Sequence, residues 1–359
     1  MRYPSFRTLL LVAAILTMGF IPLRNAGVVR SFDRFVVGRS PARVTVTPAM
    51  FHRDEGLPVP MILGYYDTSA EAGLRVLESY GSALNGVVPF WYTIHSDGSI
   101  TGSAQSDVLN YAARHHMWVF ALIQNMSGGV VYHTLFTDPV ARERAIEGML
   151  ALVEQDGYDG VNLDFEGISP EDRGRYTSFV RDLSAVLHEN GYYLTLSVPA
   201  ETADEPGNSW SGAYSYPDLA RYADLLMIMA YDQHSMGSAA GPVAGTRWVE
   251  EVTHYATRVV SPEKVALGIP AYGYDWGGGT TRAISYAQWE ELLRTYKGQD
   301  AAETGHLMYY QNGVLHDVYF ETRSAMERAV KIAVGSNLRG IVLWRLGIED
   351  PIIWSYVHS

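Results

Sequence analysis

What most limits the fold of this 359-residue chain is a beat of short apolar runs separated by stretches long enough for a helix. Eight runs are legible, at residues 61–66, 87–92, 118–124, 160–165, 193–198, 225–230, 265–269 and 340–344. Each is short and mostly apolar, as a strand must be when both of its faces are covered. The intervening segments carry helix punctuation. Thr68 and Glu71 suit a capping box before the first helix. Asp138 and Pro139 open another, striped by Ile146, Met149, Leu150 and Val153 and stopping near Gly157. Ser169, Pro170 and Asp172 open a third, striped by Tyr176, Phe179, Val180, Leu183 and Leu187 and ending at Asn190-Gly191. Eight strands with helices between them are the arithmetic of an α/β chain closed into a (β/α)8 TIM barrel. A doubly wound sheet is the structural alternative, but no GxGxxG follows the first strand. The gap between the seventh and eighth strands is long. It predicts a small α+β insertion over about 276–320, with a helix at 287–296 and strands at 306–311 and 314–319.

The chain ahead of the barrel reads differently. Arg2 and Arg7 precede an apolar run over residues 9–23, so 1–24 is expected to be an export signal or a membrane anchor. A buried helix of the fold is the alternative. Residues 25–60, with Pro41, Pro48, Pro58 and Pro60, read as a stalk or linker, and 61–359 as the barrel itself. The expected location is outside the cytoplasm, secreted or anchored at the envelope, as a monomer. The net charge of −12 and the lack of a long basic run argue against nucleic acid as a partner. Without cysteine the chain has no disulfide, no thiol nucleophile and no Cys-ligated zinc. The histidines show no HExxH spacing, so neither a metal nor a cofactor is expected.

Chemistry concentrates in Tyr158-Asp159-Gly160-Val161-Asn162-Leu163-Asp164-Phe165-Glu166-Gly167. Strand periodicity sends Val161, Leu163 and Phe165 to one face, suited to packing under helices, and Asn162, Asp164 and Glu166 to the other. In a barrel that second face points inward, where a row of polar groups costs several kcal/mol unless partnered. Glu166 then sits at the mouth, where barrel enzymes keep their chemistry. Carboxylates two residues apart on one face are ~6–7 Å apart at Cα, and like charge that close favours a proton on one of them. Glu166 is the expected acid and Asp164 the expected anion. A buried salt-bridge row or a cation site is the alternative on spacing alone.

These residues resemble glycoside hydrolase family 18, the chitinase family, whose strand-four signature is DG-x-D-x-D-x-E. The chain matches it from Asp159 to Glu166 except for Asn162. Met229-Ala230-Tyr231-Asp232 resembles the family's M-x-Y-D at strand six, Trp344 its strand-eight tryptophan, and Tyr65-Tyr66 its aromatic end of strand one. The run from His316 to Glu321 and Trp344-Arg345-Leu346-Gly347 look like bacterial members, spore-germination peptidoglycan hydrolases among them. The resemblance implies a substrate-assisted retaining hydrolase of glycans containing N-acetylglucosamine. In it Glu166 is the acid and base, Asp164 steadies the substrate's acetamido group, and Tyr231 hydrogen-bonds its oxygen. Candidate substrate contacts are Asn162, Trp344, Met229, Asp232, Tyr65, Trp91 and Glu321. Met229 and Trp91 are equally suited to core packing, and Asp232 to a surface loop. An asparagine at 162 cannot trade a proton with Asp164 as the family's aspartate does. Three rivals remain: a sugar-binding protein without turnover, an envelope module with a vestigial cleft, and a barrel glycosidase with a carboxylate nucleophile.

Overall fold

The computed structural model describes residues 60–67, 73–298 and 300–355, all within the compact unit Val46–Ser359. The expected export or anchor segment, the linker up to residue 59, and the capping box of Thr68 and Glu71 lie outside the described residues.

Eight parallel strands occupy the centre: β1 (Met61–Tyr66), β2 (Gly86–Ile94), β3 (Trp118–Gln124), β4 (Gly160–Asp164), β5 (Tyr193–Pro199), β6 (Leu225–Met229), β7 (Val265–Pro270) and β8 (Gly340–Trp344). Each pairs in parallel with the next, and β8 returns to β1 with Met61 opposite Gly340. The sheet is therefore a closed (β/α)8 barrel, and closure leaves no unpaired edge in it. A short antiparallel strand, Ile100–Gly102, folds back onto β2.

The apolar strands are explained by burial on both faces. Leu63, Tyr65, Val88, Phe120, Leu122, Met227 and Val342 fill the barrel. Val161, Leu163 and Phe165 of the β4 segment point the other way, into the layer shared with the helices. The first two residues of the signature secure the register around them. The Asp159 carboxylate accepts the Val119 N–H at 2.7 Å, tying β4 to β3. Gly160 lies so close to β5 that a Cβ there would stand 2.1 Å from the Tyr193 carbonyl oxygen.

Helix boundaries follow their capping chemistry. Asp138 accepts the N–H groups of Val140 and Ala141, Pro139 takes the first turn, and Gly157 ends the helix Pro139–Asp156 in the left-handed region at φ 74°. Its buried stripe is Ala141, Ala145, Met149 and Val153, with Ile146 and Leu150 only flanking it. The stripe is thus rotated toward smaller residues than expected, because the two alanines let the helix lie close to its neighbours. The helix Arg173–Glu189 buries Tyr176, Phe179, Val180, Leu183 and Leu187 as its periodicity predicts. Each such side chain contributes about 2 kcal/mol by leaving water.

The insertion between β7 and β8 is a four-stranded antiparallel sheet in the order Thr280–Ile284, Gly273–Gly277, Val314–Phe320, His306–Gln311. The helix Tyr286–Tyr296, opened by a capping box of Ser285 and Gln288, covers one face through Trp289 and Leu292. The expected helix and second hairpin are present. The first hairpin is additional, so the insertion begins at Gly273 rather than near 276. Its turn is Gly278-Gly279, both at positive φ, which a two-residue hairpin requires. Four glycines among Gly273–Gly279 had diluted the strand signal in the sequence.

Gly160→Ala is expected to cost about 3 kcal/mol, because backbone rather than a flexible side chain occupies the space. Urea unfolding measures this, and a midpoint unchanged from wild type contradicts the close β4–β5 approach.

Candidate active site

The signature segment delivers Asp164 at the end of β4 and Glu166 two residues beyond, at the C-terminal mouth. Phe165 between them is fully buried. Its ring stacks on Tyr132 at 4.5 Å, and its carbonyl accepts the Tyr214 hydroxyl. Gly167 follows at φ 71° and lets the chain turn away immediately. Glu166 is thus held from both sides by a clamped neighbour and a sharp turn, which fixes its position without using its carboxyl.

Below Glu166 the inward residues form two storeys. Asn162 is fully buried and bonds to Thr195 Oγ1 (3.0 Å) and Ser197 Oγ (3.0 Å) on β5. Ser197 in turn meets the Tyr65 hydroxyl at 2.7 Å. Asp164 stands above, 4% exposed, and its Oδ1 is buried without a hydrogen-bond partner. Gln124 is its register partner on β3 and donates to Thr93 Oγ1 at 3.1 Å.

Burial pushes both carboxyls above the usual carboxylate range. Glu166 is pushed further by the charges of Asp164 and Asp232. Like charges in a desolvated mouth cannot both ionise cheaply, so the pair retains a proton, and the extra repulsion on Glu166 favours holding it there. The arrangement is a proton donor beside a carboxylate that lacks a donor of its own.

Aromatic rings wall this pair. Trp344 at the end of β8 meets Tyr65 (5.1 Å) and Phe90 (6.0 Å) edge-on and lies nearly parallel to Tyr231 at 6.5 Å. The Tyr231 ring leans over Gly268 of β7, where a Cβ would approach it to 2.9 Å. Met229 lies on the inward face of β6, two residues above the buried Met227. Asp232 adopts a left-handed backbone at φ 60° and accepts the hydroxyls of Tyr272 (2.5 Å) and Tyr274 (2.9 Å). It therefore fastens the loop after β6 to the first hairpin of the insertion. Trp276 adds a bond to the Ser238 carbonyl at 3.2 Å.

Two expected contacts lie elsewhere. The register of β2 shifts between Phe90 and Tyr92, a bulge that turns Trp91 into the helix layer, edge-on to Tyr66. Phe90 takes the inward place instead. Glu321 is buried at the end of the insertion, where it accepts the Ala244 N–H and lies in the field of Arg328. Its burial pushes its carboxyl up to about 8. The sequence reading also missed Ser197, Thr195, Tyr272 and Tyr274. The alternating aromatics of Tyr272-Gly273-Tyr274 were a strand signal that placed both near the mouth. Among the described residues no cluster of three or more His, Asp or Glu side chains is arranged to hold a metal ion.

Comparison with known proteins gives a consistent picture. The sequence model described as "Glycosyl hydrolases family 18" matches residues 63–349. The uncharacterized glycosylase YvbX of Bacillus subtilis is 26% identical over 330 residues, covering 88% of this chain and 96% of that protein. The putative sporulation-specific glycosylase YdhD of Bacillus subtilis is 30% identical, covering 76% of this chain and 68% of that protein. The spore cortex-lytic enzyme SleL of Bacillus cereus shares the fold, with a TM-score of 0.75 at 22% identity over 84% of this chain and 74% of that one. A chitinase from Chromobacterium violaceum aligns with a TM-score of 0.73 at 27% identity, over 83% and 98% of the two chains.

The buried Glu321 carries a stability consequence. A carboxyl held protonated up to about 8 in the folded chain has already lost its proton in the unfolded one above the usual glutamate range. Its stabilising contribution is full at low pH and is lost as pH rises through the folded value. Glu321→Gln should flatten that slope and raise the unfolding free energy at pH 8 by about 1–3 kcal/mol. Urea titrations at pH 5 and pH 8 test this, and an unchanged difference between the two contradicts it.

Proposed function

The chain belongs to glycosyl hydrolase family 18, and on that premise we propose that it hydrolyses β-linked glycans containing N-acetylglucosamine by substrate-assisted, retaining catalysis. The observation that carries this reading is the partnerless oxygen of buried Asp164, two residues before Glu166, at a mouth where Tyr65 and Tyr231 pack against Trp344. A buried acceptor without a donor is costly unless a ligand supplies one. The N–H of a 2-acetamido group on a sugar lying against Trp344 is such a donor.

The steps follow from those positions. Glu166 gives its proton to the glycosidic oxygen as the bond to the anomeric carbon breaks. The acetamido oxygen attacks that carbon and closes an oxazolinium ring, whose positive charge Asp164 offsets through the N–H. Tyr231 donates to the acetamido oxygen and orients it. Glu166, now ionised, takes a proton from water, which opens the ring with the anomeric configuration retained. The nucleophile is tethered to the substrate, so proximity supplies much of the acceleration. No step draws on a metal or cofactor.

Likeness to a sporulation-specific glycosylase and to cortical fragment-lytic enzymes favours peptidoglycan as the first polymer to test, with chitin oligomers beside it. Action on a wall polymer fits export or anchoring through residues 1–24, which we propose on the strength of Arg2, Arg7 and the apolar run behind them.

Product-resolved digestion of peptidoglycan and chitin oligomers tests the reading. Glu166→Gln is expected to lower kcat by 10²–10⁴-fold, on the order of a lost general acid. The rate should rise with pH as Asp164 ionises and fall as Glu166 loses its proton, with both limbs above the usual carboxylate range. Binding without turnover, or equal cleavage of glycans lacking the N-acetyl group, would sink the reading.

A further inference from the structure

The lower storey of the barrel has a direction. Thr195 Oγ1 donates to the Val161 carbonyl at 3.3 Å, so its single proton is committed. It can then only accept from Asn162, which places the amide nitrogen toward Thr195 and the amide oxygen toward Ser197. Ser197 accordingly donates to Asn162, and Tyr65, at 2.7 Å, donates to Ser197 rather than to the weaker Met227 sulfur acceptor at 3.7 Å. Four side chains, each 0–1% exposed, form one chain of donors running from Tyr65 to the backbone of β4.

We propose that Ser197 and Thr195 are positioning residues: through the Asn162 amide they commit the Tyr65 proton to the barrel wall and so withhold a hydrogen-bond donor from Asp164. The site is thereby kept short of one donor, to be brought by the ligand. An aspartate at 162 would face Thr195 with a second acceptor and reverse the order, unless it stayed protonated. Asparagine is the residue that meets both neighbours in this arrangement.

Among the described residues the groups facing the acid pair carry no competing positive charge. They are Tyr65 on β1, Tyr132 on the helix Gly129–Thr137, Tyr176 on the helix Arg173–Glu189, Tyr214 after β5, and Tyr231 and Asp232 after β6. The Tyr132 and Tyr214 hydroxyls donate to the backbone at Asn125 and Phe165. Tyr65 is the hydroxyl whose proton the relay directs.

Ser197→Ala removes the acceptor and leaves the Tyr65 hydroxyl with the weak Met227 sulfur and the charged Asp164 carboxylate, of which the carboxylate is the stronger acceptor. Asp164 then ionises more readily, and the acid limb of the kcat/KM profile moves down by about one pH unit. The new internal donor competes with the ligand's, so KM rises while kcat changes less. In Tyr65→Phe/Ser197→Ala the shift disappears, because no hydroxyl remains to be freed. A purely structural role for Ser197 predicts lower thermal stability in both variants and no movement of the limb. The kinetic readout rests on the hydrolase reading. Carboxyl ¹³C NMR titration, with Asp164→Asn assigning the signal, reads the same shift without turnover. If wild type cleaves nothing but Asp164 still titrates lower in Ser197→Ala, the hydrolase reading fails and the relay stands. If the Asp164 titration is unmoved in a folded Ser197→Ala protein, the relay is wrong.

Discussion

The site depends on the cost of holding two carboxyls in an apolar barrel. Among the described residues neither Asp164 nor Glu166 draws on a cation. Burial acts on both, and on Glu166 the neighbouring charges add to it. In water such a pair would ionise at acid pH and neither member would be distinguished. Inside the barrel desolvation and repulsion separate their roles. The barrel walls supply what makes the arrangement tolerable: closed backbone pairing around the strand, aromatic rings above, and a hydrogen-bonded amide storey below. A cation beside Asp164 would lower the cost and remove the distinction at once.

The surrounding fold serves that strand. Asp159 ties its start to β3, Gly160 brings it against β5, and Phe165 locks its end between rings from two helices. Every second residue is structural and every other one faces the chamber. The signature is therefore two interleaved sentences, one about packing and one about chemistry, written on a period of two.

That period is why so much was legible. Strands β1, β3 and β8 begin and end where their apolar runs do, because a strand covered on both sides has little choice of composition. The inward set of Asn162, Asp164 and Glu166 followed from alternation alone. What escaped reading depends on events that alternation cannot express. The bulge at Trp91 exchanges Trp91 for Phe90 at the chamber wall, and nothing in Phe90-Trp91-Tyr92 marks which residue is the extra one. Nothing local marks Ser197 and Thr195, because their partner lies on another strand 33 or more residues away. Glu321, a candidate contact by sequence, is buried with its carboxyl against the Ala244 backbone, a pairing across the fold that alternation does not express.

The tyrosine bonds to Asp232 couple regions that chain order keeps apart. Asp232 follows Tyr231 directly; one of its donors, Tyr274, lies in the first hairpin of the insertion, and the other, Tyr272, immediately precedes it. The insertion is consequently no detachable cassette. Exchanging it with that of another barrel would strip the Tyr274 hydroxyl from the residue that follows Tyr231, unless the loop after β6 travelled with it. In this protein the inserted sheet and that loop form a single inheritable part, and variation in one is constrained by the other.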